Sequence, residues 1–188
     1  MLHFEYHQKS ESILFQAKER YHLLLRAWLS NESVEARYYL LEYLQKHHGY
    51  RGILQNDITG KPVPLDIIGH GNLLYWSISH SHNYIAYSVS DTPTGIDIAE
   101  YNERNTSVLS AHQDDEYFLL WEKNWNNFYI LWTSKEALIK AWGNTLDDIE
   151  DIQLIKIYEG GRYIFWFHEK TYTIQQEQHG SLFLSVTH

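Results

Sequence analysis

The chain contains no cysteine, which excludes disulfides, thiolate catalysis and cysteine-based zinc sites. It also lacks a long apolar run, since none approaches the roughly 20 residues with which a helix spans a bilayer. Basic side chains are scarce as well: 15 Lys and Arg face 24 Asp and Glu, for a formal net charge of −9. A general nucleic-acid-binding protein would carry a basic excess or stripe. We therefore expect neither nucleic acid nor a membrane among its partners.

The first residues, Met1–His7, lack the basic, apolar and small-residue order of a signal peptide. A cytoplasmic protein is therefore the expectation. The 188 residues suffice for a substantial core, in one domain or in two small lobes.

The predicted elements run from helices to strands twice along the chain. A first helix is expected from Ser10 or Ser12 to about residue 29, and a second over residues 34–47, ended by Gly49. Strands are expected next over residues 53–55, 73–79, 84–90 and 95–99. Residues 105–127 have a polar, helical pattern, and residues 128–143 form a central helix. Four strands follow, over residues 152–158, 163–168, 171–176 and 182–186.

The central helix has the most regular pattern, and Gly143 is a typical residue at which a helix ends. Its apolar stripe consists of Ile130, Leu131, Ser134, Leu138, Ala141 and Trp142. Lys135, Glu136 and Lys140 lie off that stripe, and the last two share a face because they are four residues apart. From this segment alone, the simplest interpretation is an exposed ion pair that stabilises the helix by roughly 0.2–0.5 kcal/mol.

Asp97 is a single carboxylate inside the apolar strand over residues 95–99, where it shares a face with Gly95 and Ala99. A buried carboxylate is costly unless it is ion-paired or bound to a metal. Both interpretations remain open on this pattern alone.

Four short motifs occur in a particular order along residues 60–143. They are Gly60-Lys61-Pro62, Ser79-His80-Ser81, Gly95-Ile96-Asp97 and Trp132-Thr133-Ser134-Lys135-Glu136-Ala137-Leu138-Ile139-Lys140. Each motif alone is weak, but together the series resembles the 4′-phosphopantetheinyl transferase superfamily, specifically its longer, two-lobed, Sfp-like class. The last motif is the most specific part of the resemblance.

The resemblance implies an enzyme that transfers the phosphopantetheine arm of coenzyme A to a serine of an apo acyl or peptidyl carrier protein, releasing 3′,5′-ADP. Mg²⁺ is the implied cofactor, with Asp97 and Glu136 as its ligands. Glu136 and Lys140 are the implied catalytic residues, as proton acceptor and as stabiliser of the leaving group. The implied contacts to coenzyme A are Lys61, Ser79, His80, Lys135 and Lys140.

The implied fold is α+β, with two pseudo-symmetric lobes that each pack a helix on a small antiparallel sheet. We expect a lobe over residues 1–94 and another over residues 95–188, with coenzyme A in the cleft between them. A fused two-lobed chain of this kind is expected to be a monomer.

One departure from the family pattern concerns the metal strand. Many Sfp-like members have a second acid two residues after the strand Asp, where this chain has Ala99. Glu100 follows, but it should point to the opposite face if the strand continues. A non-catalytic relative that binds coenzyme A or a carrier protein is therefore the main alternative. A metal-dependent hydrolase built on His80 and His82 is a more distant one.

The N-terminal region offers no clear match to the basic residues that many members use for the 3′-phosphate of coenzyme A. The candidates, chosen by charge alone, are Lys18, Arg20, Arg37 and Arg51.

Overall fold

The computed structural model describes residues 1–21, 30–67, 73–102, 119–120, 122–143 and 145–187. The chain divides into two compact units, Met1–Thr94 and Gly95–His188. Each unit contains one antiparallel sheet together with helices, so the α+β class is confirmed. Within the described residues, every helix is too short or too polar to cross a bilayer.

The N-terminal unit packs a long helix on a four-stranded sheet whose strand order is β1-β4-β3-β2. Its elements are β1 (Leu2–Gln8), α1 (Glu11–Tyr21), α2 (Asn31–His48), β2 (Leu65–Asp66), β3 (Leu73–His80) and β4 (Tyr84–Ser90). Leu40 and Leu44 of α2 pack with Trp76 and Tyr87 of the sheet in one buried apolar cluster. The predicted end of this helix at Gly49 is confirmed, because Gly49 adopts the left-handed conformation with φ of 65°.

Strand β1 was not predicted, although the sequence carries a signal for it. Leu2, Phe4 and Tyr6 alternate with polar residues over Leu2–Gln8, which is the period of a strand. The His3 and His7 rings stack on tyrosines of α2, with ring centroids 4.0 Å and 3.9 Å apart. These stacks let polar residues occupy the covered face of the strand.

Two other N-terminal predictions differ from the structure. Residues 53–55 form no strand, and the nearest strand pairing is an isolated bridge between Asn56 and Pro62, just after this segment. The first helix is described only as far as Tyr21, and residues 22–29 lie outside the described residues.

The C-terminal unit packs one long helix on a five-stranded sheet whose strand order is β5-β9-β8-β7-β6. Its elements are β5 (Ile96–Glu100), α3 (Trp125–Trp142), a 3₁₀ helix (Leu146–Asp151), β6 (Gln153–Tyr158), β7 (Arg162–Phe167), β8 (Lys170–His179) and β9 (Leu182–Thr187). The four predicted C-terminal strands are confirmed, with small shifts at their ends.

Helix α3 begins three residues earlier than predicted. The side chain of Asn124 accepts a hydrogen bond from the backbone N–H of Asn127, so the segment interpreted as a loop is the capped first turn. The predicted end at Gly143 is confirmed by its left-handed φ of 67°. Most of the predicted helical region over residues 105–127 lies outside the described residues.

The buried surface of α3 is wider than the predicted stripe. Lys135, predicted to lie off the stripe, is only 8% exposed, whereas Trp142 is 44% exposed. Trp142 lies at the last turn, where its ring contacts that of Tyr172 at 5.3 Å between centroids. A helix that is buried on most sides retains little of the amphipathic pattern on which such a prediction depends.

Gly95 allows α3 to approach β5 very closely. A Cβ atom at this position would come within 2.5 Å of the backbone nitrogen of Ala141 and closer still to the carbonyl oxygen of Ala137. Both are backbone atoms, so the helix would have to move to make room. Gly95 is therefore required by close packing.

We predict that Gly95→Ala destabilises the protein by about 3 kcal/mol, since overpacking a rigid contact costs that much at its upper range. Gly49→Ala is the matched control, because its added Cβ meets nothing within 4 Å and only the left-handed backbone is strained. That strain should cost about 1 kcal/mol. Urea unfolding of the two variants measures the difference, and equal losses would contradict the proposed role of close packing.

Candidate active site

Asp97 lies in the middle of β5, on the face that is covered by α3. Its cross-strand partner in β9 is Ser185, and paired residues of adjacent strands point to the same face. Ser185 contacts α3 directly, with its Oγ 2.8 Å from Oγ1 of Thr133. The Asp97 residue is 5% exposed, so its carboxylate is largely removed from water.

Lys140 supplies the cation for this carboxylate. Its Nζ donates a hydrogen bond of 2.6 Å to Oδ1 of Asp97 and forms an ion pair with it. The pair joins the last turns of α3 to the edge strand of the sheet. Lys140 thus forms a pair between helix and strand, which is longer-range in sequence than the predicted exposed pair with Glu136.

Glu136 lies one turn before Lys140 on the same side of α3 and is influenced by both charges. Burial and the negative charge of Asp97 raise the pKa of Glu136, Lys140 and a hydrogen bond from Trp132 lower it, and the net result is a pKa of about 7. Two carboxylates therefore share the electrostatic environment of one ammonium group. A carboxyl group poised near neutrality can accept a proton at physiological pH.

Three buried hydroxyl groups fix the position of α3 against the sheet beside Asp97. Thr133 donates to the carbonyl oxygen of Tyr129 at 2.8 Å, and its hydroxyl also contacts Ser185. The hydroxyl of Ser134 lies 3.2 Å from that of Ser185. Sequence reasoning missed Ser185, although a serine inside the apolar strand Leu182–Thr187 is a signal that could have identified it.

Ala99 packs against an aromatic cluster. Its neighbours in that cluster include Trp125, Phe128 and Tyr129 of the first turns of α3. Glu100 pairs with Leu182 and follows Asp97 by three residues, an odd number, so the two side chains point to opposite faces of the sheet. The predicted separation of Glu100 from Asp97 is confirmed, and the covered face of β5 contributes one carboxylate.

The other candidate residues are divided between the two units. Lys135 is on α3 and is buried. Lys61, Ser79 and His80 belong to the N-terminal unit, where Lys61 and His80 are exposed and Ser79 is buried. Ser79 and His80 are successive residues of β3 and so point to opposite faces of its sheet.

A hydrolase site on the two β3-end histidines receives no support. His80 and His82 are both exposed. Across the described residues, no group of three or more His, Cys, Asp or Glu side chains is arranged to hold a metal ion.

The pair Asp97 and Glu136 nevertheless suits Mg²⁺ in its donor chemistry. Mg²⁺ prefers oxygen ligands and is often held by one or two carboxylates, with water and substrate phosphates completing its shell. Glu136 lies one turn before Lys140, whose ammonium is 2.6 Å from Oδ1 of Asp97, so the helix brings the two carboxyl groups to the same region of the unit. The two side chains could thus hold Mg²⁺ jointly with a phosphorylated substrate.

A family model described as the 4′-phosphopantetheinyl transferase superfamily matches residues 93–186, which is half of the chain. This span contains Asp97, Glu136 and Lys140. It begins beyond Lys61 and His80.

Three curated relatives carry the same description. The 4′-phosphopantetheinyl transferase gsp of Aneurinibacillus migulanus is 28% identical over 135 residues, covering 61% of this chain and 57% of the relative. The transferase psf-1 of Bacillus pumilus is 32% identical over 96 residues, covering 48% and 40%. The transferase HetI of Nostoc sp. is 28% identical over 158 residues, covering 69% and 66%. The chain thus spans less than two thirds of the length of each of these relatives.

We predict that Lys140→Met costs about 3 kcal/mol of stability, because it leaves the Asp97 carboxylate buried without its cation. Asp97→Asn should cost less, since Lys140 is 30% exposed and can turn towards water. The double variant should be more stable than the sum of the single losses predicts, by about 1 kcal/mol or more. Lys156→Met, at an exposed lysine, is the control and should change little. Additive losses in urea unfolding would show that the pair is not coupled.

The raised pKa of Glu136 also predicts a pH-dependent stability. Because its folded pKa of about 7 lies above the ordinary value of 4.5, its contribution to stability is present below pH 4.5 and is lost as the pH rises through 7. In EDTA, the free energy of unfolding of Glu136→Gln should therefore increase relative to that of the wild type as the pH rises from 4.5 to 7. The expected increase is on the order of 2 kcal/mol.

The control for this pH series is Glu159→Gln, at an exposed turn residue. Its free energy of unfolding should not increase relative to that of the wild type between pH 4.5 and 7. The measurement is the free energy of unfolding at each pH. A difference between Glu136→Gln and wild type that stays constant with pH would contradict the prediction.

Proposed function

The chain belongs to the 4′-phosphopantetheinyl transferase superfamily, and from this premise we propose that it transfers the 4′-phosphopantetheine arm of coenzyme A to a serine of an apo acyl or peptidyl carrier protein. The observation that supports the proposal most is the convergence of Asp97, Glu136 and Lys140 within the matched residues. A chain that served only as a scaffold would have no need to bury two carboxylates against one ammonium, an arrangement that costs stability.

The reaction exchanges one phosphorus–oxygen bond for another. The serine hydroxyl oxygen bonds to the phosphorus that carries the pantetheine arm. The bond from that phosphorus to the bridging oxygen breaks, and the electron pair leaves with 3′,5′-ADP. The serine proton passes to a base, so the products are the holo carrier protein and 3′,5′-ADP.

Residues of the C-terminal unit match the needs of this reaction. Glu136 is the base, since a carboxylate poised near neutrality can take the serine proton. Lys140 donates to Asp97 at 2.6 Å and brings positive charge to the place where the leaving oxygen gains negative charge. Mg²⁺, held by Asp97 and Glu136 together with the substrate, would neutralise pyrophosphate charge.

The remaining parts of the proposal concern substrate binding and organisation. We assign Lys61, Ser79, His80, Lys135 and Lys140 to coenzyme A, and we take the protein to be a cytoplasmic monomer. Two pseudo-symmetric lobes, over residues 1–94 and 95–188, are also part of it. In support, each unit carries one helix of 18 residues packed on one antiparallel sheet.

Ala99 favours a second candidate function, in which the chain binds coenzyme A or a carrier protein without transferring the arm. Its packing beside aromatic side chains leaves the covered face of β5 with one carboxylate. The retention of Glu136 and Lys140 beside Asp97 favours the transferase, since a binding protein does not need a proton acceptor.

The test is incubation with coenzyme A, Mg²⁺ and a panel of apo carrier proteins, followed by intact-mass analysis. We expect the carrier to gain the mass of the phosphopantetheine arm. No gain with any carrier, together with intact coenzyme A binding in calorimetry, would overturn the transferase and favour the binding protein.

We predict that Glu136→Gln lowers the rate of transfer at least about a hundredfold, the range for loss of a general base. Glu100→Gln is the matched control, because it makes the same substitution on the opposite face of the sheet, and it should cost much less. The rate of mass gain at saturating substrates measures both. Equal losses would mean that the catalytic carboxylates have been assigned wrongly.

A further inference from the structure

The loop over residues 55–63 is held in one shape by its own hydrogen bonds. Its two legs meet where the backbone N–H of Val63 donates to the carbonyl oxygen of Gln55 at 2.8 Å. The carboxylate of Asp57 accepts from the backbone N–H of Thr59 at 2.8 Å, from its hydroxyl at 2.7 Å and from the backbone N–H of Lys61 at 3.0 Å. The N–H of Asp57 donates in turn to the carbonyl oxygen of Lys61 at 2.8 Å. The backbone of Lys61 is thus fixed on both sides, while its side chain is exposed.

Arg37 of α2 anchors one leg of this loop. Its Nη2 donates to Oδ1 of Asn56 at 2.9 Å, while Nη1 donates to the carbonyl oxygen of Ser33, one turn back on the helix, at 3.3 Å. Asn56 in turn restrains the other side of the loop, because its Nδ2 donates to the carbonyl oxygen of Gly60, the residue directly before Lys61. Two hydrogen bonds therefore connect the helix to the residue directly before the lysine.

Trp76 of β3 anchors the other leg. Its indole Nε1 donates to the carbonyl oxygen of Val63 at 2.9 Å. The guanidinium of Arg37 lies over the same indole ring, 5.5 Å from its centroid. Arg37 and Trp76 thus form one clamp that holds both ends of the loop.

The burial of Arg37 has a cost that the fold alone does not require. Arg37 is 5% exposed, and within the described residues no carboxylate pairs with it. A buried charge without a counter-charge is expensive, and apolar side chains of similar volume often replace such groups without loss of stability. Burial lowers the pKa of Arg37 to about 10, so it remains charged at neutral pH.

We propose that Arg37 is a positioning residue that, through Asn56, holds the 55–63 loop in the shape that presents Lys61 to an anionic group of coenzyme A. The inference rests on the proposed function. It also removes Arg37 from the candidates for contact with the 3′-phosphate, because its guanidinium is buried and bonded to Asn56 and Ser33.

The kinetic test compares Arg37→Met, Lys61→Met and the double variant. Arg37→Met should raise the KM for coenzyme A about tenfold, the range for a lost charged hydrogen bond, with little change in kcat. The double variant should be no worse than Lys61→Met alone, because the two residues act through one contact. Asn56→Ala removes the same hydrogen bond between Arg37 and the loop. It replaces Arg37→Met in this test if that variant does not fold.

The control for a merely structural role is Leu154→Ala, a buried core truncation in β6 of the C-terminal unit, outside the cluster that contains Trp76. It should lower stability without moving the KM for coenzyme A. An unchanged KM in Arg37→Met, or effects of Arg37→Met and Lys61→Met that multiply in the double variant, would overturn the proposal.

A second readout keeps this inference separate from the transferase hypothesis. Amide hydrogen exchange at Asp57 and Lys61 should accelerate about tenfold or more in Arg37→Met beyond the change in Leu154→Ala, because these amides are bonded within the loop. If the wild type transfers nothing, the proposed function fails, and exchange together with coenzyme A calorimetry decides the role of Arg37. Exchange equal to that of Leu154→Ala would overturn it.

Discussion

The buried carboxylate of Asp97 is the constraint on which the C-terminal unit depends. A charge inside an apolar strand needs a counter-charge, and Lys140 reaches it at 2.6 Å from the last turns of α3. That reach is possible only because Gly95 lets the helix backbone approach the strand. The hydroxyl contact between Ser185 and Thr133 then fixes the helix at the neighbouring strand. The close packing at Gly95, the hydroxyl contact and the ion pair all stabilise the same position of α3 relative to β5.

This placement leaves the site with an imbalance of charge. Among the described residues, Asp97 and Glu136 both lie near the ammonium of Lys140, and the raised pKa of Glu136 expresses the cost of burying it beside the Asp97 charge. Three things can relieve that cost: a proton on Glu136, a divalent cation, or a change in the position of Lys140. A transfer reaction that consumes a polyanionic substrate and releases a proton suits such a site, because charges arrive and leave during the reaction. A purely structural ion pair would be more stable without Glu136.

Much of this site could be predicted from the sequence, because its signals are local. A glycine after a helical pattern located Gly143, and a lone acid in an apolar strand singled out Asp97. Lys135 was placed wrongly off the buried stripe because a charged side chain was taken as exposed, and periodicity cannot recognise a helix covered on most sides. Strand β1 was missed because its covered face is polar, and only the rings stacked on α2 make that face compatible with burial. The environment of Ala99 depends on aromatic residues distant in sequence, which no local pattern reveals.

The two units hold a cation in different ways, and the difference bears on function. Lys140 is paired with a carboxylate that neutralises its charge, and its side chain is partly exposed. Arg37 is held by an amide and a carbonyl oxygen, which orient the planar guanidinium without cancelling its charge. An ammonium on a flexible stem suits a group whose electrostatic partner changes during a reaction. The planar guanidinium of Arg37, which holds the loop through an oriented hydrogen bond, suits a group that must not move. A positive charge thus serves the proposed chemistry in the C-terminal unit and the positioning of a loop in the N-terminal unit.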